Sequence, residues 1–151
     1  MIDLHCHLLP GIDDGPATGA ETLRLCRLAV ADGITHAVVT PHIHPGRWTN
    51  TKQSIAKACR KLQRALLKRN IPLQVGYAAE VRLTDEIMQQ VENDDIPFYG
   101  EVDGYQIMLL EFGPKLANMG ARVLDPGGNP VPFGVVGELW ITGVGVARGY
   151  V

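Results

Sequence analysis

Ile2 and Leu4 alternate with Asp3 and His5, the two-residue period of a short strand, and the chain then breaks into the loop Leu8-Leu-Pro-Gly-Ile-Asp-Asp-Gly15. Thr18-Gly-Ala-Glu21 has the form of a capping box, and Leu23, Cys26 and Val30 recur at helical spacing until Gly33, predicting a first helix. Thr35 to Thr40 reads as a second strand. Asn50 is a suitable N-cap for a second helix, whose stripe of Ile55, Cys59, Leu62 and Leu66 runs until Asn70-Ile-Pro72. A third apolar run, Leu73 to Ala79, is followed by a short helix from the Thr84-Asp-Glu86 cap to about Asn93. Asp94 to Asp103 reads as loop and Tyr105 to Leu110 as a fourth strand. Strands alternating with helices predict an α/β fold of about four βα units, part of a (β/α) barrel.

Beyond Phe112 the pattern changes to a strand, an Asp125-Pro-Gly-Gly-Asn129 turn, a second strand from Glu138 to Thr142 and a glycine loop. That loop, Gly143-Val-Gly-Val-Ala-Arg-Gly149, lacks the spacing of a dinucleotide fingerprint and the Gly-Lys-Ser/Thr of a phosphate loop. The predicted division is therefore a domain over 1–112 and a short β-rich tail over 113–151.

Chemistry gathers where the apolar runs end. His5 and His7 share one face at the close of the first strand, with Asp13 and Asp14 in the loop behind them. His42 follows Ala37-Val-Val-Thr-Pro41, Glu80 follows Leu73–Ala79, and Glu111 follows Ile107-Met-Leu-Leu110. His5, His42, Glu80 and Glu111 are spaced by 37, 38 and 31 residues, close to the length of a βα unit. In barrels of such units, reactive groups collect at the strand ends. Imidazoles and carboxylates on one rim describe a divalent-metal site and suit manganese, with zinc, cobalt and iron also compatible. A His-x-His pair by itself is more often an ordinary polar pair; the spaced set distinguishes this chain. Cys6, between two of these histidines, lacks a Cys-x5-Arg phosphate cradle and reads as a filler facing away from the metals. His44, Arg47 and Trp48 occupy a loop beside the rim.

Composition narrows the field. A net charge of −2 gives no global attraction to nucleic acid or to an anionic membrane, and no apolar run approaches 18 residues. The chain opens directly on a strand with no basic leader, so the expectation is a soluble, unexported, cytoplasmic protein. Three cysteines without CxxC spacing fit reduced thiols. One helix face carries Lys52, Lys57, Arg60, Lys61, Arg64, Lys68 and Arg69 with no acid among them. A solvated face is the ordinary meaning; the density also suits an acidic partner such as a phosphorylated polypeptide tail.

The segments His5-Cys-His-Leu-Leu-Pro-Gly-Ile-Asp-Asp-Gly15, Asp32-Gly-Ile-Thr35, Thr40-Pro-His42, Gly46-Arg-Trp-Thr-Asn50, Ala79-Glu-Val-Arg-Leu83 and Leu109-Leu-Glu-Phe112 resemble the N-terminal half of the PHP (polymerase and histidinol phosphatase) superfamily. The likeness is greatest to the manganese-dependent protein-tyrosine phosphatases of bacterial capsule and exopolysaccharide clusters. The resemblance implies a PHP-type barrel holding two or three Mn2+ ions on His5, His7, Asp14, His42, Glu80 and Glu111. It further implies hydrolysis of phosphotyrosine on a partner protein, such as the tail of a bacterial tyrosine kinase. Arg47 would help hold the phosphate and Trp48 would flank an aromatic substrate. The family pattern continues with an Ala-His-Pro-like motif and a later Asp-x-His pair, whereas no histidine follows His44 here. Half a barrel leaves a parallel strand edge open, which the tail or a second copy would cover. Residues 113–151 are similar instead to a short stretch of nonribosomal peptide synthetase adenylation domains, without their Tyr-Arg-Thr-Gly-Asp segment. The alternatives are an inactive truncated fusion product or a fragment of an adenylate-forming enzyme.

Overall fold

The computed structural model describes residues 1–112, 119–131 and 138–143. The chain divides into two compact units, Met1–Glu111 and Phe112–Val151.

In the first unit, β1 (Ile2–Cys6), β2 (His36–Val39) and β4 (Gln74–Tyr77) form a parallel sheet in the order β1-β2-β4. A second parallel sheet has the order β3-β5-β8, from His42–Ile43, Glu80–Arg82 and Leu109–Glu111. Only Thr40 and Pro41 separate β2 from β3, and only Ala78 and Ala79 separate β4 from β5. Pro41 has no N–H for a ladder, so the regular pairing lapses there. Thr40 N still donates to Cys6 O at 2.8 Å and Ala78 N to Val39 O at 3.0 Å, which keeps the neighbouring paths together. His42 and Glu80 are consequently register partners. Among the described residues the strands do not close into a barrel.

Helix α1 (Gly19–Ala31) enters through the predicted box: Thr18 Oγ1 accepts from Glu21 N, and Glu21 Oε2 accepts from Thr18 N. Helix α2 (Lys52–Lys68) departs from expectation, because its N-cap is Thr51, in a reciprocal pair with Ser54. Asn50 is diverted instead: its amide donates to Ile12 O at 2.9 Å and His42 O at 2.8 Å, tying the β1–α1 loop to β3. The α2 stripe of Ile55, Cys59, Leu62 and Leu66 is buried against the sheet, together with Leu9, Val39, Leu73, Val81 and Ile96. Full burial of each large aliphatic side chain is worth about 1.5–3 kcal/mol.

Helix α3 (Ile87–Glu92) starts from the predicted Thr84-Asp-Glu86 segment, with Glu86 at its N-cap, Asn93 at its C-cap and no side-chain capping bond. One further expectation is corrected: the run from Tyr105 to Leu110 is not one strand. Gly100–Val102 (β6) and Tyr105–Ile107 (β7) form an antiparallel hairpin, and only Leu109–Glu111 joins the parallel sheet. The cause is Asp103-Gly104, a two-residue turn with φ of 53° and 83°, the left-handed pair that hairpins favour.

In the second unit, β9 (Met119–Leu124) pairs antiparallel with β10 (Glu138–Gly143). Asp125 organises the turn after β9, its carboxylate accepting from Gly127 N at 2.8 Å and Asn129 N at 2.9 Å. The predicted glycine loop lies, beyond Gly143, outside the described residues.

Candidate metal centre

His5 is the penultimate residue of β1, its ring on the rim, and His7 follows in the loop. His7 Nε2 stands 3.4 Å from His5 Nε2. Glu80 Oε2 comes within 3.1 Å of His5 Nε2, 3.2 Å of His7 Nε2 and 3.7 Å of His42 Nδ1. Asp14 Oδ1 lies 3.6 Å from His7 Nδ1 and 3.5 Å from His42 Nε2. Glu111 Oε2 lies 3.4 Å from His42 Nδ1. The structure thus brings His5, His7, Asp14, His42, Glu80 and Glu111 together as three overlapping groups: His5-His7-Glu80, His7-Asp14-His42 and His42-Glu80-Glu111. His7, His42 and Glu80 each belong to two of them. The arrangement is a product of strand order: His42 and Glu80 are paired at the starts of β3 and β5, just past the ends of β2 and β4, and Glu111 closes the neighbouring β8.

Residues beyond the predicted set hold this cluster in place. Asp13, in the loop beside Asp14, places Oδ2 2.9 Å from His7 Nδ1 and also accepts from Gly15 N and His42 N. Burial drives the Asp13 carboxyl upward, but the His7 hydrogen bond and the Gly15 and His42 amides outweigh it, holding its pKa below the ordinary value. The same hydrogen bond, followed by the charges of Asp13, Asp14 and Glu80, raises the His7 pKa against partial burial. Gly15 lets the loop close on the strand end: a Cβ there would stand 2.6 Å from His7 O. Arg82 Nη1 donates to Glu111 Oε1 at 2.7 Å and fixes that carboxylate.

Trp48 stacks on His42 with ring centres 4.5 Å apart and planes 9° from parallel. The Arg47 guanidinium lies 3.9 Å from the Trp48 ring centre, so Arg47 sits one ring removed from the cluster. Cys6 faces away, its Sγ toward Val38 O at 3.5 Å, and burial pushes its thiol up to about 12. Near neutral pH it offers no thiolate for attack. His36 is exposed and bonded to Thr35 Oγ1, apart from the rim.

The donor set fits a cation cluster on its own chemistry. His42 Nδ1 and Glu111 Oε2 are buried and have no hydrogen-bond partner. Buried polar atoms left in that state cost about 1–3 kcal/mol each, and a shared cation is a single partner that satisfies both an imidazole nitrogen and a carboxylate oxygen. The mixed N/O set suits manganese, iron, zinc or cobalt.

Imidazoles and carboxylates thus meet on one rim of a parallel α/β scaffold, in groups able to hold a divalent cation. Residues 1–121 match the family described as "Capsular polysaccharide synthesis, CpsB/CapC", and the chain belongs to that family. It is similar to the tyrosine-protein phosphatase YwqE of Bacillus subtilis, 31% identical over 136 residues, covering 78% of this chain and 54% of the relative. The fold is similar to a chain from crystal structures of YwqE and of CpsB from Streptococcus pneumoniae, described as unique metal-dependent tyrosine phosphatases. There the TM-score is 0.67 at 32% identity, covering 78% of this chain and 48% of the other. The chain spans about half the length of these relatives. Residues 101–151 match the AMP-binding enzyme family. A mycosubtilin synthase polypeptide of Bacillus subtilis is 56% identical over 91 residues, covering 50% of this chain and 3% of that protein. No helix among the described residues is long and apolar enough to cross a membrane.

Proposed function

We propose that residues 1–112 are the first half of a PHP-type barrel, about four βα units, carrying most of the metal centre of a protein-tyrosine phosphatase. Residues 113–151 form a separate, adenylation-domain-like piece. The observation that carries this reading is the set of three ligand groups sharing His7, His42 and Glu80.

His5, His7, Asp14, His42, Glu80 and Glu111 would hold two or three Mn2+ ions, which supply charge to bind phosphoryl oxygens and lower the pKa of a bound water. The chain's own contribution is orientation. Asp13 accepts the Nδ1 proton of His7 and leaves Nε2, beside Glu80 and His5, as the free lone pair. Arg82 occupies one oxygen of Glu111 and so directs the other toward His42. Trp48 covers one face of the His42 ring and excludes water from it. Arg47, released from Trp48, supplies donors to a substrate phosphate, while the indole flanks an aromatic leaving group. The substrate in this reading is phosphotyrosine on a cytoplasmic protein, such as a bacterial tyrosine kinase tail.

The experiment is Mn2+ binding by calorimetry together with turnover of p-nitrophenyl phosphate and a phosphotyrosine peptide. Manganese-dependent hydrolysis abolished by His5→Ala supports the reading; a rate indifferent to manganese and to that substitution refutes it. A second reading, an inactive fusion product, is favoured by the two family matches that overlap at 101–121. It predicts manganese binding without turnover.

A further inference from the structure

A second concave feature lies on the outer, helical face of the first unit. Helices α1 and α2 leave between them a groove of about 860 Å3, within the range of roughly 300–1,000 Å3 usual for ligand pockets. Its floor is apolar, with Leu23 from α1 and Ala58 and Leu62 from α2. Its rim is cationic: Arg27 from α1 and Lys57, Lys61 and Arg69 from and just beyond α2, all exposed. Among the described residues no acidic side chain lines it.

The charge on this face is not neutralised from within. Of the seven cations between Lys52 and Arg69, only Lys52 has an ion-pair partner, Asp94, among the described residues. Lys57 and Lys61, and Arg60 and Arg64, stand at i,i+4 spacing, where like charges weaken a helix. A helix in a chain of net charge −2 that keeps such a face is shaped for a complementary surface outside it.

From the cationic rim and the apolar floor, we infer that this groove docks an acidic amphipathic helix of a partner protein. A third helix laid between two others presents apolar anchors at i, i+3, i+4 and i+7 to the floor, and its flanking carboxylates meet the rim. The groove's shape separates this occupant from other polyanions. A nucleic acid backbone would use the cations and leave the concave apolar floor unfilled, and a lipid surface would require apolar side chains on a convex face. Pro10 and Ile12, from the loop that also carries Asp13 and Asp14, form one end of the groove. A docked partner therefore starts beside the metal-binding rim, yet the docking itself does not depend on that rim's chemistry.

The test uses the whole chain and a fluorescein-labelled acidic peptide of about four helical turns, with leucines at the anchor positions and glutamates between. Anisotropy titration is expected to show saturable binding that weakens with salt, and about tenfold weaker binding to the Lys57→Glu/Lys61→Glu variant. Ala58→Trp, which fills the floor, is expected to abolish binding; if its circular-dichroism melt shows it unfolded, the charge-reversed variant decides. Equal binding of a peptide with serines in place of leucines overturns the inference. So does unchanged affinity in the charge-reversed protein, or tighter binding of a single-stranded oligonucleotide or of phosphatidylserine vesicles than of the peptide.

Discussion

The two units of the chain use polar side chains in opposite ways. In Met1–Glu111 the decisive contacts span long stretches of sequence: His5 to Glu80 is 75 residues, and Arg82 to Glu111 is 29. In the described part of Phe112–Val151 the side-chain hydrogen bonds are local, from Asp125 to Gly127 and Asn129. A local polar cluster supports its own turn and needs no further purpose. Charged groups drawn together from distant strands lose solvation, a cost that a bound cation of the proposed centre would offset.

This contrast can be broken experimentally, and the largest effect is expected at the shared side chains. His42→Ala or Glu80→Gln each removes a donor from two groups at once and should weaken Mn2+ binding by more than about a hundredfold in calorimetry. Asp13→Asn leaves every direct donor in place but loses the acceptor that orients His7, and should cost about 10–100-fold. Gly15→Ala forces a Cβ against His7 O and should destabilise the fold by about 1–3 kcal/mol in denaturant melts, with weaker metal binding as a secondary result.

A smaller effect concerns pH in metal-free protein. The His7 contribution, from a raised pKa, is fully present below about 6.5 and fades as pH rises through the raised value. The Asp13 contribution, from a lowered pKa, is present above about 3.9 and fades as pH falls through the lowered value. The pair therefore supports the fold most in mildly acidic solution. Thermal melts across pH should show that maximum flattened in Asp13→Asn; an unchanged profile would mean the pair contributes nothing. At the bottom of the scale, Asp125→Ala should leave manganese affinity untouched.

The convergence of His42, Glu80 and Glu111 could be read from the sequence because each follows an apolar run, and burial patterns are written into sequence. What escaped were choices between similar neighbours and partners far along the chain. Asp13 and Asp14 are chemically identical and adjacent; only the loop closure permitted by Gly15 decides which one takes the His7 Nδ1 proton. Asn50 and Thr51 are both good caps, and the one drawn to Ile12 O and His42 O could not serve the helix. Arg82 had a usable signal, since it stands two residues after Glu80 and so shares its strand face, but its partner Glu111 arrives from another strand. The Asp103-Gly104 turn was visible in principle and was missed because the apolar run Tyr105 to Leu110 reads as continuous when pairing partners are unknown.

One consequence follows from Glu80 having a single oxygen within reach of three imidazoles. In the proposed centre, occupancy at one position would alter the electrostatic potential felt at the next, so the positions would be thermodynamically linked. A manganese titration of the intact rim should not reduce to independent identical sites: stepwise constants would differ, and substitution at His5 would change the later steps as well as the first.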